Sequence, residues 1–262
     1  MAEAAGLNAA NPERAVASAA GNTVHHPSAL RNRIPILKQL MSLLPENATS
    51  HALEIASSTG AHIEVFAPAF PSLTWHPSEY VPPTPASAEE QWPLYGKVGQ
   101  RVVENDELLS IDAHGSAVFS NVVPAVALDL MQPYEQWPAS IRELEWPPGS
   151  GLRGQFTLIV LSNTLHITPW ECSVGLFNGA AKLLSSGGKL VVYGPFKVEG
   201  KFVGADGGAN NEKFDEKLRS TNASWGIRDV DDLKAVATPL GLILQSQVDM
   251  PANNLTLTFV KQ

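Results

Sequence analysis

Four polar side chains stand at or just after the ends of successive predicted strands, which is where a parallel sheet collects its ligand-binding residues. They are Glu54, Glu79, Asp129 and Asn163. Glu79 lies 19 residues after Gly60, and an acid at that spacing typically accepts hydrogen bonds from both hydroxyls of a nucleotide ribose. The pattern therefore predicts a nucleoside-binding site along the carboxyl edge of a sheet.

The turn after the first predicted strand belongs to the same site. Residues 56–60 read Ala-Ser-Ser-Thr-Gly, and such small side chains let the backbone approach a ligand closely. The helix that follows offers free backbone N–H groups to a polar ligand. We therefore expect Glu54, Ala56, Ser58 and Gly60 to contact the ligand together with the strand-end residues.

His166 is the candidate general base, because it follows the end of the fourth predicted strand by three residues. A histidine titrates near neutral pH and could remove a proton from an acceptor. In the alternative interpretation, His166 only holds its loop by a hydrogen bond. His62 starts the helix after the turn, and we expect it to support that turn rather than to act as a base.

Further side chains are candidates for contacting a substrate: Arg31, Asn32, Trp170, Tyr193, Asn253 and Asn254. The structural alternatives are the core for Trp170, the surface for Arg31 and Asn32, and a turn for the two hairpin amides. Arg31 could instead meet a cofactor carboxylate. No metal site is predicted, because His, Asp and Glu do not recur at metal-ligand spacing and Cys172 is the only cysteine.

These side chains need a framework that brings strand ends together, and the hydrophobic pattern predicts one. The pattern changes at residue 28, a first amphipathic helix is predicted at 34–44 with Pro35 in its first turn, and strands then alternate with helices. Strands are predicted at 51–56, 73–77, 123–130, 155–163 and 189–194, helices at 61–70, about 98–111, 169–188, 211–220 and 229–240, and a closing hairpin from 242–250 and 255–262. We expect Gly187 and Gly188 to close the helix at 169–188 by a left-handed cap. The alternation predicts an α/β fold whose mostly parallel sheet carries helices on both faces.

Composition and charge limit the classes of function. The net charge is -8 and the longest basic feature is Arg31-Asn32-Arg33, so a nucleic-acid partner is not expected. No run of 18 apolar residues occurs, so no membrane-spanning helix is expected. Residues 1–27 lack apolar periodicity and a secretory signal, which predicts a flexible tail before one domain at 28–262 and a cytoplasmic location. The sequence does not specify an oligomeric state.

Several segments together resemble a small family of class I S-adenosylmethionine-dependent methyltransferase-like proteins. They are EIASSTGAH, LTWHPSE, ALDLMQP, SNTLHITPWE, YGPFK, FDEKLR, WGIRD and MPANN. The resemblance covers the chain from about Leu30 to its C-terminus, except for the stretch between Glu79 and Val122. It implies a seven-stranded sheet with the last strand antiparallel, and S-adenosylmethionine laid along the first turn with its ribose on Glu79 and its adenine beside Asp129. The loop that carries His166 would then border the transferred methyl group.

The turn departs from the acid-x-Gly-x-Gly-x-Gly pattern that is usual in this class, because Ala56 and Ser58 replace two glycines. A non-glycine residue forced to positive φ costs about 1–2 kcal/mol. The predicted function is methyl transfer from S-adenosylmethionine to a small-molecule acceptor. The alternative is a fold relative that binds S-adenosylmethionine, or uses its site, for other chemistry such as isomerisation or cyclisation, or only as a binding protein. A nicotinamide-dependent dehydrogenase is less favoured, because the closing hairpin and the position of Asp129 suit the methyltransferase arrangement.

Overall fold

A computed structural model describes residues 25–45, 48–82, 106–145, 149, 151 and 156–262 of the chain. The helices in these ranges are α1 (Pro27–Leu43), α2 (Ile63–Ala69), α3 (Asp106–His114), α4 (Ala139–Arg142), α5 (Trp170–Leu183), α6 (Ala209–Thr221) and α7 (Val230–Ala237). The strands are β1 (Ser50–Ile55), β2 (Leu73–Glu79), β3 (Val126–Ala127), β4 (Phe156–Ser162), β5 (Leu184–Gly194), β6 (Phe196–Val198), β7 (Lys201–Phe202), β8 (Arg228–Asp229), β9 (Leu242–Met250) and β10 (Asn254–Lys261). Among the described residues, no helix is both long enough and apolar enough to cross a membrane.

The main sheet has seven strands in the order β3-β2-β1-β4-β5-β10-β9. Strand β1 runs parallel to both β2 and β4, whereas β10 is antiparallel to β5 and β9. The predicted mostly parallel sheet with a closing antiparallel hairpin is therefore confirmed. The chain builds outward from β1 to β3 and then returns to β4, so the strand order reverses between β1 and β4. Ligands of open α/β sheets bind in the crevice that such a reversal leaves at the carboxyl edge.

Side chains of β4 alternate between two apolar layers. Ile159 and Leu161 pack in a cluster with α5 and α7, whereas Leu158 and Val160 pack in a second cluster with α1 and α2. All four side chains are fully buried, as expected for a parallel strand covered on both faces. Helices therefore cover both sides of the sheet, as predicted.

The third strand is much shorter than predicted. Val126–Ala127 forms the only ladder of this segment with β2, and Val122 adds one isolated bridge to Trp75, although 123–130 was expected to be extended. Pro124 explains the interruption, because it has no N–H to donate to a ladder. The next amide, that of Ala125, donates instead to the side chain of Asp112 at 2.7 Å. The strand nevertheless delivers Asp129 to the carboxyl edge of the sheet.

The predicted glycine cap at the end of α5 is wrong. Helix α5 ends at Leu183, and Leu184 is already extended as the first residue of β5. Gly187 has a φ of +77° inside the span of β5, where the register against β4 shifts. The two glycines therefore accommodate an irregularity of the strand, after the helix has ended.

Helix α1 begins earlier than predicted. Pro27 occupies its first turn and the His26 side chain caps it, while Pro35, expected in the first turn, lies inside the helix. The end of the predicted tail is also packed, because the side chain of His25 is only 9 % exposed. Residues 1–24 lie outside the described part of the chain, as do residues 98–105 of the helix predicted at 98–111.

Candidate functional site

The turn after β1 adopts a glycine-type backbone although two of its glycines are missing. Ala56, Ser58 and Gly60 have φ values of +59°, +53° and +84°. Space is also tight at Gly60, because an added β-carbon would lie 3.2 Å from Ile111 and from His114 of α3. The sequence alone does not determine whether φ of Ser58 is positive or negative. The structure places both substituted positions in the left-handed region.

Glu54 lies beneath this turn and is 1 % exposed. Its Oε1 atom is 3.0 Å from Nδ1 of His62, which fixes the start of α2, as expected for a supporting role of His62. The other carboxylate oxygen, Oε2, is buried and has no hydrogen-bond partner among the described residues. Glu54 is thus a partly satisfied buried acid next to the predicted cofactor turn.

Glu79 lies at the end of β2, directly beside the turn. Its Oε2 atom accepts a hydrogen bond from the N–H of Ser58 at 2.6 Å, and its Oε1 atom accepts one from the N–H of Tyr80 at 2.8 Å. Asp129 lies half-buried after β3 and accepts from the N–H of Met131 at 2.8 Å. The structure therefore brings the predicted strand-end acids to one edge of the sheet.

A cavity of about 170 Å³ opens beyond the ends of β4 and β5. Its walls come from α1, from the β4 loop, from α6 and from the hairpin tip. The polar side chains that line it are those of Ser28, Arg31, Asn32, Asn163, His166, Asn211 and Asn254, and Pro195, Phe214 and Ala252 complete it. Segments that are far apart in the sequence therefore enclose one polar space. Four of the lining residues are asparagines, which both donate and accept hydrogen bonds.

Asn32 is the most unusual residue of this cavity. It is 1 % exposed, and its Oδ1 atom has no partner among the described residues. Leaving such an acceptor buried and unpaired costs about 1–3 kcal/mol. The Nδ2 group of Asn254, in contrast, donates to the Tyr193 hydroxyl at 3.1 Å and to the Pro251 carbonyl at 3.0 Å. Asn32 thus leaves one buried acceptor unpaired in the cavity wall, whereas Asn254 is held in place.

Three predicted substrate contacts lie elsewhere. Tyr193 is 1 % exposed and packs in the core with α1 and α2, because its alternation along β5 points it into the sheet face, and burial raises the pKa of its hydroxyl. Asn253 ties the hairpin tip to the loop at 203–208, which contains three glycines, since its side chain binds the N–H of Ala205 and the carboxylate of Asp206. Trp170 lies under the guanidinium of Arg228 and lines a different cavity of about 280 Å³.

His166 lines the cavity but is a poor general base. Burial lowers its pKa from the ordinary value of 6.5 to about 3, with a smaller contribution from the positive charge of Arg228. Its ring packs edge-on against Phe214, and neither ring nitrogen has a hydrogen-bond partner among the described residues. The loop is held instead by backbone carbonyls, such as that of His166 accepting from the Gly226 N–H at 3.0 Å. The ring nitrogens of a neutral imidazole are therefore available to a ligand.

The structure also assembles a group that the sequence analysis did not identify. His25, Glu64 and His114 place one ligand-type atom each within 4.8 Å of one another. Burial disfavours the charged form of Glu64, but hydrogen bonds from the two histidines hold its pKa below the ordinary value. The separations along the chain, 39 and 50 residues, carry no local signal.

The fold is similar to that of several solved methyltransferases. An O-methyltransferase family protein from Burkholderia thailandensis is 14 % identical with a TM-score of 0.59, over 90 % of this chain and 57 % of that one. The mitomycin 7-O-methyltransferase MmcR is 12 % identical with a TM-score of 0.59, over 90 % and 54 %. CalO1, a methyltransferase of calicheamicin biosynthesis solved with SAH bound, is 14 % identical with a TM-score of 0.56, over 90 % and 54 %.

The chain spans little more than half the length of these solved proteins, and at such low identity the likeness shows the fold alone. The family comparison covers nearly the whole chain. The family described as "Protein of unknown function (DUF938)" matches residues 23–261, and the chain belongs to that family.

Proposed function

We propose that this protein transfers a methyl group from S-adenosylmethionine to a small-molecule acceptor. The observation that carries the proposal is the turn after β1, which keeps left-handed φ values at Ala56, Ser58 and Gly60 although two of these residues are not glycine. A strained backbone conformation persists where the surrounding structure imposes it, and such positions cluster at binding sites. Solved proteins of similar fold are methyltransferases, one of them with SAH bound, which supports the same cofactor class.

The residues along the carboxyl edge fit this cofactor. The cofactor would extend along the turn from Ala56 to Gly60, with Glu79 accepting hydrogen bonds from its ribose hydroxyls and Asp129 lying beside its adenine. Glu54 would support the turn from beneath, and Asn163 would mark the end nearest the acceptor. When bound, S-adenosylmethionine supplies an electrophilic methyl group on a sulfonium centre. Every other part of the reaction depends on how the protein's own residues hold the acceptor.

The cavity next to Asn163 is the proposed acceptor site. Asn32 offers an unpaired carbonyl oxygen, and His166 offers neutral ring nitrogens, so an acceptor with hydroxyl or amine donors would satisfy both. Arg31 adds a positive charge at the wall, which favours an acceptor that also carries an anionic group. A volume of about 170 Å³ suits a small polar molecule. We propose that these residues align and dehydrate the acceptor, which is a large share of what a displacement reaction needs.

We do not assign proton removal to His166. A base with a pKa of about 3 accepts little charge at neutral pH, so the sequence-based role as general base is disfavoured. His166 acts instead as a positioning residue that accepts a hydrogen bond from the acceptor. The acceptor atom would lose its proton to water after or during transfer.

A second function has one observation in its favour. The low pKa of His166 leaves the cavity without a strong base among its described lining residues, which suits a protein that binds the cofactor without transferring its methyl group. One measurement distinguishes methyl transfer from cofactor binding alone. Both predict cofactor binding, but only the methyltransferase converts S-adenosylmethionine to S-adenosylhomocysteine when a suitable acceptor is present.

Isothermal calorimetry of the full chain with S-adenosylmethionine, S-adenosylhomocysteine and NAD tests the cofactor. We expect both S-adenosyl ligands to bind and NAD to produce no heat. Saturable binding of NAD without a response to either S-adenosyl ligand would refute the proposal. A panel of small hydroxy and amino acids, followed by mass spectrometry of the cofactor product, then tests transfer.

A further inference from the structure

A buried cluster of His25, Glu64 and His114 lies beside the cofactor turn, outside the cavity proposed for the acceptor. Their side chains are 9 %, 5 % and 1 % exposed. The cluster touches the turn directly, because Nδ1 of His25 lies 2.8 Å from the hydroxyl of Thr59. It therefore joins the segment before α1, helix α2 and the end of α3 at one point.

The donor atoms are arranged like the ligands of a single ion. Nε2 of His25 is 3.3 Å from Oε1 of Glu64, and the three ligand-type atoms all lie within 4.8 Å of one another. Two atoms bound to one tetrahedral zinc at about 2.1 Å are about 3.4 Å apart. Nδ1 of His114 is hydrogen-bonded directly to Oε1 of Glu64, so this pair must separate when an ion enters.

The surrounding groups fit ligation. Oε2 of Glu64 is 2.8 Å from the guanidinium of Arg33, so Oε1 is the oxygen that faces the two histidines. His25 can donate from Nδ1 to Thr59 while its Nε2 atom acts as a ligand. Metal-binding histidines and carboxylates are usually held by such outer hydrogen bonds, which fix the orientation of the ligand atom.

We propose that His25, Glu64 and His114 bind one divalent transition-metal ion of the zinc class. Two imidazoles and a carboxylate are a ligand set typical of zinc and other first-row transition metals, whereas magnesium and calcium prefer oxygen ligands alone. His25 precedes α1 by two residues, and α1 supplies Arg31 and Asn32 to the acceptor cavity. The ion would fasten the start of α1 to Thr59 of the cofactor turn.

Direct metal binding tests this site without any cofactor. The full chain is stripped with a chelator and titrated with zinc, and with cobalt as a spectroscopic probe of tetrahedral nitrogen and oxygen ligation. We expect one zinc ion per chain, a tetrahedral cobalt spectrum, and no competition from excess magnesium. His25→Ala, Glu64→Gln and His114→Gln should each lower zinc affinity at least tenfold. Arg33→Gln, which removes the ion pair that orients Oε2 of Glu64, should lower it about 10–100-fold.

His25→Ala is the decisive variant, because His25 lies outside every helix and strand of the described chain and its loss should not unfold the protein. His26→Gln is the matched control, since His26 is the neighbouring histidine and lies outside the cluster. Zinc should raise the melting temperature of the wild type and of His26→Gln, but not that of His25→Ala. The proposal is overturned if the stripped wild type binds no zinc, or if His25→Ala binds it as tightly as the wild type. Neither result depends on whether the protein transfers methyl groups.

Discussion

Replacing Ser58 with glycine should stabilise the folded protein, although it removes a side chain. Ser58 has a φ of +53° and Ala56 a φ of +59°, and a non-glycine residue in this region costs about 1–2 kcal/mol. Glycine avoids that cost but adds about 0.5–1 kcal/mol of conformational entropy to the unfolded chain. The difference predicts a net gain of about 0.5–1 kcal/mol for Ser58→Gly, and a similar gain for Ala56→Gly.

Urea unfolding followed by circular dichroism measures this gain as a shift of the midpoint at unchanged slope. For a domain of this size, a gain of 1 kcal/mol corresponds to a rise of about 2–4 °C in melting temperature. Ser57→Gly is the matched control, because Ser57 lies in the same turn without a positive φ, and this change should destabilise by about 0.5–1 kcal/mol. Ser58→Ala keeps the β-carbon and should change stability by less than about 0.5 kcal/mol.

Backbone strain at Ser58 would be refuted if Ser58→Gly were less stable than the wild type. If Ser58→Gly destabilises the protein as much as Ser57→Gly, the turn is not strained in solution and the left-handed conformation is not built in. If the gain appears, the turn is held in place by its surroundings, such as the hydrogen bond from the Ser58 N–H to Glu79. Affinity for S-adenosylhomocysteine should then be equal or higher in Ser58→Gly, because the backbone that would face the ligand is unchanged.

Glu79→Ala should weaken binding of S-adenosylhomocysteine at least about tenfold by calorimetry, and an unchanged affinity would show that Glu79 does not face the ligand. The same substitution should lower the free energy of unfolding by about 1–3 kcal/mol, because the carboxylate accepts two backbone hydrogen bonds. Burial lowers the pKa of His166 from 6.5 to about 3, so the unfolded chain takes up this proton first and stability falls as the pH drops from about 6.5 towards 3. At pH 5 this single group costs about 2 kcal/mol, and His166→Gln should remove that part of the pH dependence in urea titrations at pH 7 and pH 5. Asn32→Leu should raise stability while lowering turnover, because it removes an unpaired buried oxygen; a loss of both would indicate a purely structural role. Asn253→Gly keeps the backbone freedom needed at its φ of +57° and removes only the side chain, so hydrogen exchange should increase in residues 200–208 and nowhere in the sheet.

Much of the framework could be predicted because its physical signals are local. Strand β4 was predicted at 155–163 and lies at Phe156–Ser162, since a parallel strand covered on both faces reads as a continuous apolar run. The hairpin was predicted within a residue at each end for a different reason, because β9 alternates between exposed and partly or fully buried residues and a Pro-Ala-Asn-Asn turn follows it. The convergence of Glu79 and the 56–60 turn followed from one rule, that adjacent parallel strands end at the same edge.

Side-chain direction at the ends of the strands was harder to predict. Tyr193 ends a strand and was expected in the acceptor site, but its alternation along β5 turns the ring into the core. That direction depends on the register of β5 against β4, which shifts near Gly187, and the two glycines there were predicted to form a helix cap instead. The His25–Glu64 contact was also not predictable from local sequence, because only the packing of α1 against α2 brings together these residues, which are 39 positions apart.

Several energetic costs of this structure lie around one crevice. Ala56 and Ser58 hold left-handed conformations at the end of β1, Asn32 leaves a buried oxygen unpaired, and Glu54 does the same beneath the turn. His166 follows β4, and burial keeps its imidazole neutral because the buried site disfavours the charged form. None of these features stabilises the folded protein, since each lowers the free energy of unfolding or leaves a hydrogen bond unmade. They coincide where the strand order reverses, at the edge where α/β sheets bind ligands, and a ligand placed there would satisfy the open polar atoms that face the cavity. This coincidence argues for a binding site more strongly than the shared fold does, because the same fold could be built with glycines in the turn and an apolar side chain in place of Asn32.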